Sequence, residues 1–124
     1  MNRVTAKICG LSTADTLGAA VKHGASHVGF VFFPASPRHV TFGQAASLTA
    51  LVPAHIARVG VFVDPEDGLI DEAILIGGVD LGNVERAAGM TGARLIDISS
   101  GVETAPGIKD VDKIAAFLQR VAAL

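Results

Sequence analysis

The sequence is poor in the residues that mark several classes of protein. Its 124 residues include one cysteine, no tryptophan and no tyrosine, and the net charge at pH 7 is -2. A single cysteine excludes an internal disulfide and fits a reducing compartment. The small net charge gives no electrostatic reason to expect a nucleic acid or a membrane surface as partner. The chain shows no export signal and no apolar run of membrane-spanning length, so we expect a cytoplasmic protein.

Half of the residues are apolar and 18% are charged, which is enough to bury a hydrophobic core. The length indicates one domain over residues 1–124. Apolar segments typical of buried strands alternate with segments of helical period, and this order predicts an α/β fold with a parallel sheet. The predicted strands cover residues 3–9, 27–33, 57–63, 74–76 and 94–98, and the predicted helices cover 13–23 (with its Thr13 cap), 43–52, 69–73, 81–88 and 111–123.

One connection is too short for this architecture. Residues 69–73 predict about one helical turn, and they run into the strand at 74–76 without a loop. A crossover between parallel strands needs at least about 10–12 residues. The pattern therefore predicts a discontinuity near residues 73–74.

Five groups of residues stand at or near the predicted strand ends. They are Lys7–Leu11, Gly29–Phe32 with Ser36–Arg38, Val59–Val63, Gly77–Gly78 with Asn83–Val84, and Asp97–Glu103 with Pro106–Gly107 and Lys109–Asp110. In type and order they resemble the phosphoribosylanthranilate isomerase family of tryptophan biosynthesis, and together they span nearly the whole chain. The resemblance implies parallel βα repeats of the TIM (βα)8-barrel type, of which about five are present. Strands four to six, on the order of 80–90 residues, would be missing near 73–74.

The resemblance also implies a reaction. Members of this family convert a phosphoribosyl amine of anthranilate into an open-chain ketose phosphate by an Amadori rearrangement. The reaction needs an acid at the ring oxygen, a base at the C2′ proton and an anchor for the phosphate. This is proton transfer, so no cofactor is implied, and the four histidines do not have the spacing of a helical metal site. The expected partner is a small phosphorylated sugar amine, with no nucleic acid and no membrane.

Cys9 is the predicted general base. It lies at the end of the first predicted strand, where βα barrels place their active sites. Lys7, which we also expect to bind the substrate, is two residues earlier. Both side chains should therefore lie on one face, where a positive charge favours the thiolate. A lone cysteine is more often a small buried apolar residue. Here the sequence from Lys7 to Gly10 favours the catalytic interpretation instead.

The general acid of the family is an aspartate at the end of strand six, and no residue of this chain matches it. Asp64, Asp80 and Asp97 lie at strand ends, but each aligns with another position. We therefore expect the chain as written to have little or no isomerase activity.

Two loops after successive strands predict a phosphate site. The first is Gly77–Gly78 and the second is Ser99–Ser100–Gly101. Glycine lets the backbone approach an anion closely, and the loops after the last two strands form the usual phosphate site of these barrels. An isolated pair of glycines is more often an ordinary turn, so the prediction depends on the two loops together.

Three further charged residues lie near these motifs. By resemblance, Arg38 faces the carboxylate of anthranilate, which suits a guanidinium fork, and Asp97 contacts the substrate. The alternatives are that Arg38 is solvated and that Asp97 caps the local turn. Lys109 is predicted to be a solvated charge rather than a neighbour of the phosphate.

Two other functions stay open at this point. The chain could be a non-catalytic partial barrel that binds phosphate or self-associates through exposed sheet edges. It could also be a signalling receiver domain, with Asp64 at the end of the third strand. A receiver needs an acidic pair after the first strand to hold magnesium, and Cys9 and Gly10 occupy those positions.

Overall fold

The structure, a computed structural model, describes residues 4–62 and 95–123. Within them, strands and helices alternate as the sequence pattern predicts. In chain order the elements are β1 (Thr5–Ile8), α1 (Ala14–Lys22), β2 (His27–Val31), α2 (Phe42–Thr49), β3 (Ala57–Val61), β4 (Leu95–Ile98), a 3-10 helix (Ser100–Val102), β5 (Glu103–Ala105), β6 (Ile108–Lys109) and α3 (Val111–Ala122). The strand predicted at 74–76, the helices predicted at 69–73 and 81–88 and the discontinuity near 73–74 lie outside the described residues.

Within the described residues, four parallel strands form the main sheet, in the spatial order β3-β2-β1-β4. The central strand β1 pairs with β2 on one side and with β4 on the other, so that Lys7 lies between His27 and Asp97. Parallel neighbours need crossover connections, which α1 provides between β1 and β2, and α2 between β2 and β3. The carboxyl ends of β1 and β4 consequently lie side by side, although these strands are far apart in the chain.

The helix ends follow from local capping. α1 begins after Thr13, whose hydroxyl accepts a hydrogen bond from the amide of Thr16 at 3.3 Å. It ends before Gly24, whose φ of +94° glycine adopts without steric cost. α2 begins with a capping box, in which Thr41 and Gln44 bond each other's backbone amides. In the described residues, no helix is long and apolar enough to cross a bilayer.

The core lies between the sheet and the helices. All five residues of β2 are buried, as expected for a parallel strand covered on both faces. Phe30 of β2 and Phe32, which directly follows it, are 0% and 4% exposed. The largest fully buried side chains are Phe30, Ile8, Leu11, Leu17, Ile114, Val28, Val40 and Val102.

The segment between β4 and α3 differs from the prediction of a polar turn and a loop. It contains the 3-10 helix and then an antiparallel hairpin of β5 and β6. Pro106 and Gly107 form its turn, and the φ of +80° at Gly107 suits the second central position of a type II turn. Strands of two and three residues are too short to show an alternating pattern, which is why the sequence did not reveal them.

The two glycines of the α1 region should respond oppositely to the same substitution. Gly18 lies inside the helix, and an added Cβ would meet no atom within 4 Å, so Gly18→Ala should raise the free energy of unfolding by about 0.5–1 kcal/mol. Gly24 also borders open space, but its left-handed φ means that Gly24→Ala should lower that free energy by about 1 kcal/mol. Urea denaturation of the three proteins measures both changes. A gain for Gly24→Ala would contradict the capping role of that glycine.

Candidate active site

Cys9 directly follows β1 at the carboxyl edge of the sheet. Its amide donates a hydrogen bond to the carbonyl of Ile98 at the end of β4, at 2.9 Å. The ends of the first and last described strands of the sheet are therefore joined, as expected. The side chain of Cys9 is partly exposed and lies over Gly29 of β2, where an added Cβ would be 3.1 Å from Sγ.

Lys7 lies on the same face as Cys9, which confirms that prediction. The position of a Cβ on Gly29 is 3.1 Å from Lys7 Cε as well as from Cys9 Sγ, so those two atoms are at most twice that distance, about 6.2 Å, apart. Lys7 is 7% exposed, and its Nζ donates to Asp97 Oδ2 at 3.2 Å. The side chain of Asp97 is 56% exposed, and its contact with a substrate stays a prediction.

A buried carboxylate joins the loops above this edge. The side chain of Glu103 is 3% exposed. Arg38 donates from Nε to Oε2 at 2.8 Å and from Nη2 to Oε1 at 2.7 Å, which is a bidentate pair. Lys109 Nζ donates to Oε2 at 2.7 Å, and the amide of Gly107 donates to Oε1 at 3.3 Å. Sequence reasoning assigned no role to Glu103, since its partners belong to elements that the pattern did not bring together.

The prediction that Lys109 is a solvated charge is wrong. Its side chain is 1% exposed. Besides Glu103, its Nζ bonds the carbonyl of Ser99 at 2.9 Å and the hydroxyl of Ser99 at 3.1 Å, so all three ammonium hydrogens have acceptors. The unpredicted hairpin is the cause, because β6 turns Lys109 inward. Ser99, a predicted phosphate ligand, therefore also anchors this buried cation.

The charges of this cluster depend on one another. Burial alone would raise the pKa of Glu103, but the hydrogen bonds from Arg38 and Lys109, with the charge of Lys109, hold it at about 2. The hydrogen bond to Glu103 raises the pKa of Arg38. Burial lowers the pKa of Lys109, against the opposing effect of Glu103. The charge of Cys9 contributes to the raised pKa of Arg38 and opposes the lowering of the pKa of Lys109. One carboxylate thus faces two cations. Among the described residues, the cations Lys7, Arg38 and Lys109 outnumber the carboxylates Asp97 and Glu103, so positive charge is in surplus beside Cys9.

Two glycines let the loop that carries Arg38 approach Cys9. A Cβ on Gly10 would lie 2.6 Å from Arg38 Cδ, so the stem of the arginine lies on the backbone directly after Cys9. A Cβ on Gly107 would overlap the carbonyl of Pro37. The hairpin turn therefore packs against the loop and holds Arg38 at the carboxyl edge of the sheet. Whether Arg38 binds a substrate carboxylate stays a prediction.

Only one of the two predicted phosphate loops lies within the described residues. Ser100 and Gly101 are exposed at the start of the 3-10 helix, next to the end of β4. Gly77–Gly78 lies outside the described residues, so the phosphate site stays a prediction. Residues 4–62 and 95–123 contain no group of three His, Cys, Asp or Glu side chains placed to hold a metal ion.

Comparison with known proteins relates the whole chain to one family. The family model for N-(5'-phosphoribosyl)anthranilate (PRA) isomerase matches residues 6–76 and 67–120. The curated N-(5'-phosphoribosyl)anthranilate isomerase of Zymomonas mobilis subsp. mobilis is 32% identical over 206 aligned positions, spanning 95% of this chain and 98% of that protein. The curated protein of the same name from Rhodospirillum centenum is 42% identical over 122 residues, spanning 92% of this chain and 56% of that protein.

The first of these alignments contains a large gap. Its 206 positions exceed the 124 residues of this chain by 82. At least 82 residues of the Zymomonas protein therefore have no counterpart in this chain.

Solved structures show the fold. A crystal structure of phosphoribosyl anthranilate isomerase in complex with reduced 1-(o-carboxyphenylamino)-1-deoxyribulose 5-phosphate aligns with a TM-score of 0.80 and 23% identity, over 98% of this chain and 100% of that one. The isomerase from Thermotoga maritima aligns with a TM-score of 0.80 and 22% identity, over the same shares. The parallel βα repeats are thus of the TIM-barrel type, and they are incomplete in this chain.

The pKa of Glu103 predicts how stability depends on pH. The pKa of this carboxyl is about 2 in the folded chain against an ordinary value of 4.5, so between these values the unfolded chain binds one more proton. The stabilisation by Glu103 should be complete above pH 4.5, and it should fall by up to about 1.4 kcal/mol per pH unit as the pH drops toward 2. Urea denaturation from pH 7 to pH 2 measures this loss.

The matched variant is Glu103→Gln, which has the same size and no charge to titrate. Its free energy of unfolding should be lower at pH 7, and it should fall less steeply below pH 4.5. Curves that run parallel throughout would contradict the assignment of this slope to Glu103.

Proposed function

The chain belongs to the N-(5'-phosphoribosyl)anthranilate isomerase family of tryptophan biosynthesis, and on this premise we propose that it binds the phosphoribosyl amine of anthranilate at the carboxyl edge of its sheet. The reaction of that site is the Amadori rearrangement to the 1-deoxyribulose phosphate ketose. Cys9 is the base, and the chain as written turns substrate over little or not at all. The observation that carries the proposal is the position of Cys9 among three cations.

The electrostatics of the site suit this substrate. Cys9 Sγ lies within about 6.2 Å of Lys7 Cε and within electrostatic range of Arg38 and Lys109. A positive environment of this kind attracts a ligand with a carboxylate at one end and a phosphate at the other. We assign the carboxylate to Arg38 and the phosphate to Ser99, Ser100 and Gly101 together with Gly77 and Gly78.

The proton transfers define what each residue contributes. Protonation of the ring oxygen breaks its bond to C1′, and the lone pair of the amine forms a C1′=N iminium. The Cys9 thiolate then takes the proton from C2′, the electron pair of that C–H bond forms the C1′=C2′ bond of an enolamine, and the π pair of the C1′=N bond returns to the nitrogen. Tautomerisation of the enolamine gives the ketose. Lys7 lies beside the thiol in the second step, because its Cε is within about 6.2 Å of Cys9 Sγ.

The first step, protonation of the ring oxygen, lacks its general acid in this chain. The family's acid is an aspartate of strand six, and no position of this sequence matches it. Asp97 lies within the described residues, but its carboxylate bonds Lys7 at 3.2 Å, and it aligns with the substrate-contacting aspartate of strand eight. We do not assign the acid to it.

The missing acid follows from a missing segment, which we place near residues 73–74. The family model matches in two separate segments that share only residues 67–76. At least 82 residues of a relative have no counterpart in the chain. Both observations support the absence of strands four to six from a single domain.

The absence of strands four to six also favours an alternative function. Without an acid, the chain can serve as a non-catalytic protein that binds phosphate and self-associates through the sheet edges that strands four to six would cover. The two proposals share the binding of the ligand and the expected lack of turnover, and only the alternative requires self-association. They are therefore separated by size-exclusion chromatography with light scattering, in which a monomer would count against the alternative.

Turnover and binding test the proposal directly. With N-(5'-phosphoribosyl)anthranilate as substrate, we expect a rate no higher than that of the Cys9→Ala variant, because ring opening lacks its acid. In calorimetry, we expect reduced 1-(o-carboxyphenylamino)-1-deoxyribulose 5-phosphate to bind the wild type, and we expect Arg38→Ala to weaken it at least about tenfold. Turnover well above the Cys9→Ala control would overturn the proposed loss of the acid, and failure of the ligand to bind would overturn the proposed site.

A further inference from the structure

Arg38 has one edge of its guanidinium occupied and another available. Its bonds to Glu103 use Nε and Nη2, and within residues 4–62 and 95–123 no hydrogen bond of Arg38 uses Nη1. A guanidinium carries five N–H groups in one plane. Glu103 takes one from Nε and one from Nη2, so a second parallel pair, from Nη1 and Nη2, remains at the end of the side chain. The arginine side chain is 22% exposed, so a ligand can reach it.

The bidentate bond fixes the direction of that second pair. Two parallel N–H···O bonds to one carboxylate allow a single orientation of the guanidinium plane. The stem is also confined, because Arg38 Cδ lies against the backbone of Gly10, directly after Cys9. With its stem and one edge held, Arg38 presents its remaining edge in one direction beside the thiol.

Glu103 is itself immobilised. Oε1 accepts hydrogen bonds from Arg38 and the Gly107 amide, and Oε2 accepts from Arg38 and Lys109. These four bonds fill the acceptor sites of an ionised carboxylate. Lys109 is held in turn by the carbonyl and hydroxyl of Ser99. The arginine is thus connected through one buried carboxylate to the loop that follows β4.

We propose that Glu103 is a positioning residue that presents the free edge of Arg38 to the carboxylate of an aromatic-amine substrate. This inference deepens the proposed function and rests on it. A ligand carboxylate would take the second pair of N–H groups while Glu103 keeps the first. Affinity for that carboxylate then depends on Glu103, although Glu103 does not touch the ligand.

Glu103→Gln is the informative variant, because it keeps the size of the side chain. A glutamine amide has one oxygen and one NH2 group, whereas each oxygen of Glu103 faces a cation. Either orientation of the amide turns N–H groups toward Arg38, and the fork is lost. A merely structural ion pair would lose stability in this variant, but its effect on binding would not depend on whether the ligand has a carboxylate.

The first measurement uses the wild type without ligand. In nitrogen-15 spectra, the Nε–H of Arg38, assigned by its disappearance in Arg38→Lys, should exchange with water at least about tenfold more slowly than that of the exposed Arg120. This protection should vanish in Glu103→Gln. An Arg38 that exchanges as fast as Arg120 in the wild type would overturn the inference, and this result does not depend on the folding of any variant.

The second measurement compares two ligands that differ only in the ortho carboxylate: reduced 1-(o-carboxyphenylamino)-1-deoxyribulose 5-phosphate and its phenylamino counterpart. Glu103→Gln should weaken the first by at least about tenfold and change the second by less than about twofold. In an Arg38→Ala background, Glu103→Gln should change neither. Equal losses of affinity for the two ligands in Glu103→Gln would contradict the inference. If neither ligand binds the wild type, the proposed function fails, and hydrogen exchange still decides whether Glu103 holds Arg38.

Discussion

A single carboxylate that is almost fully buried, that of Glu103, sets the arrangement of the loops at the carboxyl edge of the sheet. Taking an ionised glutamate out of water costs several kcal/mol, and only close partners with good geometry offset that cost. Glu103 has such partners on the loop after β2, in the hairpin turn and on β6. Those segments can bury their charges together in one arrangement only. The surplus positive charge beside Cys9 is a direct consequence of it.

The parallel sheet supplies the other half of the site. The register of β1 against β4 pairs Lys7 with Asp97, and the amide of Cys9 continues the ladder to Ile98. Gly29 has no side chain, so the thiol and the ammonium stem both fit above β2. Strand pairing therefore positions Cys9 and its neighbouring cation Lys7, while ion pairing positions Arg38. Strand pairing depends on backbone hydrogen bonds, which are insensitive to pH, whereas ion pairing depends on ionised side chains.

Local patterns predicted much of this structure. The apolar run of β2, the Thr13 cap and the glycine after α1 specify elements that the structure confirms, and a spacing of two residues was enough to place Lys7 beside Cys9. The sequence pattern does not predict the buried cluster, because Arg38 and Glu103 are 65 residues apart in the chain and a residue's charge alone does not reveal its partner. Lys109 was assigned to solvent because a strand of two residues leaves no periodic signal. Gly77 and Gly78 lie outside the described residues, so their role still depends on resemblance.

A double-mutant cycle on the free energy of unfolding at pH 7 tests directly whether Glu103 and Arg38 act as one unit. Arg38→Ala, Glu103→Gln and the double variant are compared with the wild type by urea denaturation. If the carboxylate holds the arginine in place, the two single losses should together exceed the loss in the double variant by at least about 1 kcal/mol. Losses that add to within about 0.5 kcal/mol would mean that the two side chains stabilise the fold independently, and Glu103 would not be the residue that fixes Arg38.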